Sequence, residues 1–346
     1  MRVVSLMLQE IREQPVALER TLRSELRGIE KLKSQLAKNP PRLIVLAARG
    51  TSDNAAQFGR YLFELLTGIP VSLAAPSVYT LYNKPPSLAG ALVIGVSQSG
   101  ESTDVNAVLE AGRAQGAFII GVTNEAGSHM AQIADYVVQV RAGKERSVAA
   151  TKTYTGQLLA MYLIAYALGA KLSADSLKHL PDFAAKACEI EKAAAAHAIR
   201  YRFMERCVVV GRGLNYASAF EMALKMMETS YVVAERFSSA DLMHGPIAMV
   251  EASFPAFVFA PAGVTAQPMA DTITRLESLH AETFVISDKA NKTIFDRGLQ
   301  IPVKLDELFT PIPYIIPAQL FAAYLAAEKG LNPDQPRALS KVTRTL

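Results

Sequence analysis

Two short stretches of this 346-residue chain hold side chains whose types and spacing could do chemistry. In Cys207–Pro246, a β-branched run (Val208, Val209, Val210) ends in Gly211-Arg212-Gly213 and passes into a segment of helical periodicity. On that helix Glu221, Lys225 and Glu228 are spaced by four and three residues, so they share one face. Carboxylates beside an amine can take and return protons. The plain alternative is an exposed face carrying one ion pair, worth roughly a few tenths of a kcal/mol. His244 follows in His244-Gly245-Pro246, after a Ser238-Ser239-Ala240-Asp241 turn, and adds an imidazole to the same short βα unit.

The second stretch is Ser97-Gln98-Ser99-Gly100-Glu101-Ser102, after the apolar run Ala91–Val96 and before a helical segment. A helix N-terminus leaves about four amides unpaired and carries roughly half a positive charge. One serine would meet the ordinary N-cap requirement. Three hydroxyls and Gln98, with Gly100 allowing close backbone approach, suit the oxygens of a phosphate monoester. Thr51 and Ser52 open a neighbouring helix and could add hydroxyls, although capping alone would explain them. Neither Gly-x-x-x-x-Gly-Lys-Ser/Thr nor a Gly-x-Gly-x-x-Gly after the first strand occurs, so no nucleotide is expected.

The elements that must position these groups alternate. Residues 4–36 read as helix interrupted near Pro15, Arg42–Ala48 as strand and Asn54–Leu66 as helix. Val71–Ala74, Ala91–Val96, Ala117–Val122 and Tyr136–Val140 read as strands. Gly143–Ser147 is a polar loop before the long apolar helix Thr151–Leu168. Such alternation predicts an α/β fold with a parallel sheet covered on both faces. The order then recurs. Arg49-Gly50 returns as Arg212-Gly213 and Gly100 as Gly263, both 163 residues on, and Thr123-Asn124 nearly as Ser287-Asp288. Two similar doubly wound, flavodoxin-like domains are therefore expected. Their predicted bounds are an N-terminal helical segment 1–36, a first domain 37–171, a helical linker 172–200, a second domain 201–333 and a C-terminal tail 334–346. Ala260, Pro261 and Ala262 stand where the first copy has Ser97, Gln98 and Ser99. The first copy should thus hold an anion and the second supply the chemistry.

Composition narrows the classes. Half the residues are hydrophobic and a fifth charged, as in ordinary globular domains. Two cysteines, Cys188 and Cys207, are too few for a disulfide framework, and a cytoplasmic setting is expected. No signal-peptide pattern and no apolar run of about 18 residues is present, so no membrane partner is expected. The net charge of +4 equals the excess in residues 1–42, where nine Lys/Arg interleave with five Asp/Glu at helical spacing. That reads as a solvated amphipathic helix rather than a nucleic-acid surface. Histidines 129, 179, 197, 244 and 280 lack metal-ligand spacing, so neither metal nor cofactor is expected.

The serine turn is similar to the SQSGET element of sugar isomerase (SIS) domains. Nearly the whole chain resembles the isomerase half of glutamine–fructose-6-phosphate amidotransferase. That family's EIxEQP stands here as Glu10–Pro15, its GTS as Gly50-Thr51-Ser52 and its VAxTK as Val148-Ala149-Ala150-Thr151-Lys152. Its ALKxxE is Ala223–Glu228, its HGP is His244–Pro246, and its DQPRxLxK runs from Asp334 to Lys341. The resemblance implies that Ser97, Gln98, Ser99 and Ser102, with Thr51 and Ser52, hold a sugar phosphate, and that Val148 and Ala149 also line the substrate. It implies that Glu228 shuttles a proton between C1 and C2, with Lys225 near the reacting oxygens. His244 would open the sugar ring from the partner subunit of a homodimer. Lys341 would form a Schiff base with the open-chain ketose, which requires a neutral amine at the moment of attack.

Departures from the family's synthase narrow the expected reaction. The synthase begins with a glutaminase domain, whereas this chain begins at the linker helix. Its GELKHGP is here Ala240-Asp241-Leu242-Met243-His244-Gly245-Pro246, and Val-Thr-Arg-Thr-Leu follows Lys341. These changes resemble stand-alone relatives that act on amino-sugar phosphates. The expected activity is an isomerising deamination of glucosamine-6-phosphate to fructose-6-phosphate and ammonia. Alternatives are a deaminase or deglycase for galactosamine-6-phosphate or a fructosamine-6-phosphate, the isomerase domain of a synthase-like amidotransferase, and a sugar-phosphate-sensing module without catalysis.

Overall fold

The computed structural model describes residues 5–291, 293 and 297–341. The start of the N-terminal segment (1–4) and the end of the tail (342–346) lie outside the described residues. Two compact units account for the chain. Residues 16–145, 152–179 and 340–341 form the first, and residues 5–15, 146–151 and 180–339 the second.

The first unit is built on a five-stranded parallel sheet of β1 (Ile44–Ala47), β2 (Val71–Leu73), β3 (Leu92–Val96), β4 (Phe118–Thr123) and β5 (Tyr136–Gln139). Its spatial order is β2-β1-β3-β4-β5, the flavodoxin-like order. Strands β1 and β3 are buried along their whole length, which is why they read as unbroken apolar runs rather than alternating ones. Helix Lys152–Ala167 is buried almost all round, as its apolar composition requires. Helix Gln14–Leu36 is amphipathic as expected, with Ala17, Leu18, Leu22, Ile29, Leu32 and Leu36 on its buried face.

The second unit repeats the plan with β6 (Arg206–Gly211), β7 (Val233–Ser238), β8 (Pro255–Phe259), β9 (Glu282–Asp288) and β10 (Gly298–Ile301). All its pairings are parallel, and the order β7-β6-β8-β9-β10 copies that of the first sheet. The internal repeat read from three landmarks is thus a repeat of whole sheets. Gly50 and Gly213, the matched glycines after β1 and β6, both sit at φ +56°, a conformation that favours glycine.

Two local expectations need correction. The Ser238–Asp241 turn is the end of β7 followed by a short helix, Ser239–Met243. The exposed-face alternative for Glu221 and Lys225 is also wrong, because both side chains have 0% exposure. Both cysteines are free and belong to the second unit. Among the described residues no helix is long and apolar enough to cross a membrane, and no cluster could hold a metal ion.

Candidate active site

In the first sheet the strand order reverses between β1 and β3, where the chain crosses from β2 past β1 to β3, and ligands of such sheets bind beyond the carboxyl ends there. Gly50-Thr51-Ser52 follows β1, and the serine turn follows β3. The turn is clamped through its carbonyls. Gln98 O accepts from Asn124 N (3.1 Å) and Thr123 Oγ1 (3.3 Å), and Gly100 O accepts from Met130 N (3.0 Å) and Asn106 Nδ2 (3.1 Å). Ser97 Oγ accepts from Gly100 N and Ser99 Oγ from Glu101 N, yet neither hydroxyl donates to a described residue. Ser102 occupies the N-cap position of helix Thr103–Ala114 but makes no capping bond. Capping therefore does not explain these serines, and three hydroxyl protons remain to be donated.

Three further side chains frame this end of the sheet. Arg49 reaches Asp104, in the first turn of the serine-turn helix, through Nε (3.0 Å) and Nη2 (2.8 Å). Ser52, buried, accepts a hydrogen bond from Gln157 Nε2 at 2.9 Å, so part of its hydrogen-bonding capacity serves the core. Thr51 is half-buried at the first position of helix Thr51–Thr67.

The corresponding turn of the second unit is closed by the chain itself. Thr265, the counterpart of Ser102, donates its amide (3.2 Å) and its hydroxyl (2.5 Å) to the carboxylate of Glu307. Gly263 leaves the room for this: a Cβ there would stand 2.4 Å from Glu307 Oε2. An internal anion thus fills, in the second copy, the place that has free hydroxyls in the first.

Helix Tyr216–Ser230 carries the candidate proton-transfer groups of the second unit. It follows β6 through the short turn Gly213–Asn215, and Thr229 and Ser230 bind Ala322 O of helix Pro311–Glu328. Lys225 Nζ lies 2.5 Å from Glu228 Oε2 and 3.4 Å from Glu221 Oε1. Desolvating an amine is costly without partners, and removing one member of a buried ion pair costs about 3–5 kcal/mol. Two carboxylates hold this one in place. Glu221 is fully buried, whereas Glu228 keeps 21% of its side chain exposed, so of the two only Glu228 can meet a solute.

His244 is exposed beyond the short helix Ser239–Met243. Its amide donates to Asp241 O (3.2 Å), while its ring has no hydrogen-bond partner among the described residues.

The VAxTK and tail motifs serve as anchors. Glu10 accepts the amides of Arg146 (2.5 Å) and Ser147 (3.2 Å), which fixes the loop leading into Val148 and Ala149. Val148 N is committed to Asp334 O (3.1 Å), so only its carbonyl and side chain remain for a ligand, and Ala149 is buried. Asp334 also accepts the amides of Leu6 and Met7, both at 2.8 Å, where a carboxylate is favoured by the helix dipole. Arg337 N donates to Tyr231 Oη (2.8 Å), and its guanidinium stacks 4.1 Å from the Tyr231 ring. In the first unit, Lys341 Nζ then meets Glu145 Oε2 at 2.8 Å. Glu145 was not singled out from sequence, where it stood in a loop read only as polar. Its place seven residues before Lys152, ahead of a helix N-terminus, was the available signal.

The SIS domain model matches residues 39–167 and 201–329, one copy per sheet. A glutamine–fructose-6-phosphate aminotransferase (isomerizing) of Gloeobacter violaceus is 35% identical over 97% of this chain, which spans only 58% of that relative's length. A solved structure from Silicibacter pomeroyi DSS-3, provisionally named a phosphosugar isomerase, is 30% identical with a TM-score of 0.87, covering 96% of this chain and 100% of that one. A glucosamine-6-phosphate deaminase of Thermotoga maritima shares the fold, with a TM-score of 0.79 at 23% identity over 99% of this chain and 100% of its own. With both sheets matched by the same family model and full-length kinship to a solved relative, the chain belongs to the SIS domain family, of which it carries two copies.

Proposed function

We propose that the protein is a phosphosugar aldose–ketose isomerase that deaminates glucosamine-6-phosphate to fructose-6-phosphate and ammonia. The observation that carries the reading is the trio on helix Tyr216–Ser230, in which a buried lysine lies 2.5 Å from the one carboxylate that keeps solvent access, Glu228. A carboxylate so placed can move a proton between adjacent carbons of an open-chain sugar, while the lysine steadies the charge that develops on oxygen.

Each step has a residue. The donating hydroxyls of Ser97, Ser99 and Ser102 and the first-turn amides of helix Thr103–Ala114 take the phosphate, with Gln98, Thr51 and Ser52 beside them. His244 opens the ring of a substrate bound to a second copy of the chain; its exposure and unengaged ring support this role. Glu228 transfers the proton from C2 to C1, leaving an imine at C2. The Lys341 amine displaces ammonia from that imine, and water then releases the ketose. Water is consumed once per turnover, and one ammonia leaves.

The test is ammonia release from glucosamine-6-phosphate, galactosamine-6-phosphate and fructosamine-6-phosphates. Glucosamine-6-phosphate should be the best substrate. Glu228→Gln should bind it about as well as wild type in calorimetry yet release ammonia at least roughly a hundredfold more slowly. Preference for another sugar of the panel would change the substrate and keep the reaction class. Binding without turnover of any of them would replace the enzyme by a sensor.

A further inference from the structure

Glu145 has no part in the steps assigned so far, and its surroundings are unusual for a carboxylate. Its side chain has 0% exposure. Oε1 accepts from Thr153 N (3.1 Å), and Oε2 accepts from Thr153 Oγ1 (2.7 Å) and from Lys341 Nζ (2.8 Å). Thr153 lies in the first turn of helix Lys152–Ala167, so the carboxylate also faces the positive end of a sixteen-residue helix. A cap alone needs one acceptor for one amide. Here the same oxygen is shared by a hydroxyl and an ammonium, and the ammonium belongs to the lysine proposed to bond with the sugar.

Building on the Schiff-base reading of Lys341, we infer that Glu145 is the proton acceptor and counter-ion of that lysine. Condensation with a ketose then balances as follows. The ammonium of Lys341 passes a proton to Glu145, and the neutral amine attacks the C2 carbonyl. The new C–N bond gives a carbinolamine, with one amine proton moving to oxygen. Glu145 returns its proton to the departing hydroxyl, water leaves, and a protonated imine remains on Lys341 beside an ionised Glu145. The nitrogen is cationic before and after, and in between the proton rests on the carboxylate. The Lys341–Glu145 pair therefore stays neutral throughout, which matters because a buried carboxylate without a partner is strongly disfavoured. Thr153 and the helix end hold Glu145 still, while Lys341 sits seven residues beyond the anchored Asp334. The arrangement brings a tail lysine to a fixed base.

Reductive trapping tests this. The protein is incubated with fructose-6-phosphate and cyanoborohydride, and the adduct at Lys341 is followed by peptide mass spectrometry from about pH 6 to about pH 9, a span that exposes a proton-dependent step. Wild type should be trapped at Lys341 with a rate nearly flat in pH. Glu145→Gln, which can still bond Thr153, should be trapped roughly a hundredfold more slowly near neutrality, with a rate that climbs with pH. Glu145→Asp retains the base at a shorter reach; it should be slowed but stay flat in pH, and it serves if the glutamine variant does not fold. Equal rates and pH profiles in all three proteins would overturn the role of Glu145 and leave the Schiff base standing. No adduct at Lys341 in wild type would remove the Schiff-base reading, and this inference with it.

Discussion

Ser97 and Ser99 spend their oxygens on backbone amides and keep their protons, a division of labour that suits a ligand rich in acceptors. Losing one hydrogen bond to a charged group costs about 1.5–3 kcal/mol. Ser99→Ala and Ser97→Ala should therefore raise KM roughly tenfold to a hundredfold while leaving kcat within a few-fold. Steady-state kinetics checks this, and an unchanged KM in both variants would leave the serines with only their turn-closing bonds. The same scale separates Glu221 from Glu228. Four and three residues from the same Lys225, they are equivalent by spacing; the family motif ends on Glu228, and burial separates the two physically.

At the scale of elements, the serine turn depends on Gly100. Its φ is +66°, and a Cβ there would stand 2.1 Å from Ser128 Oγ and 3.0 Å from Thr123 Oγ1. Gly100→Ala should destabilise the protein by about 1–3 kcal/mol and weaken sugar-phosphate binding more than it lowers the melting temperature. Gly116→Ala is the control, because φ is similar (+79°) but nothing stands within 4 Å of the added carbon. Equal losses in the two variants, by thermal unfolding and calorimetry, would show that overlap with Ser128 is unimportant. Two elements the sequence left unread have separate physical reasons. β7 is an edge strand with exposed Glu235 and no clean apolar run. Helix Pro311–Glu328 hides behind Pro311, Pro313 and Pro317, yet the first two occupy the opening turn, where an amide would be unpaired in any case.

For the whole molecule, we propose a homodimer in which His244 serves a second copy. Mixing inactive Glu228→Gln with inactive His244→Ala under verified subunit exchange should restore activity in the heterodimer, which then has one intact site. No recovery in an assay that detects roughly a few per cent of wild-type rate, above the residual rate of parents each slowed about 10²–10⁴-fold, would place His244 in its own chain's chemistry. Sequence by itself determined the α/β class, the two copies and the residue types at both turns. Strand burial writes itself as apolar runs, positive-φ turns as glycine, and the repeat as matched landmarks, all of which are local in the chain. Tertiary structure decided what depends on partners distant in sequence. It decided that Glu307 fills the second copy's turn, that Glu228 rather than Glu221 stays open, and that Glu145 awaits a lysine 196 residues away. Charge pairing and burial are properties of neighbours, and a chain names its neighbours only once it has folded.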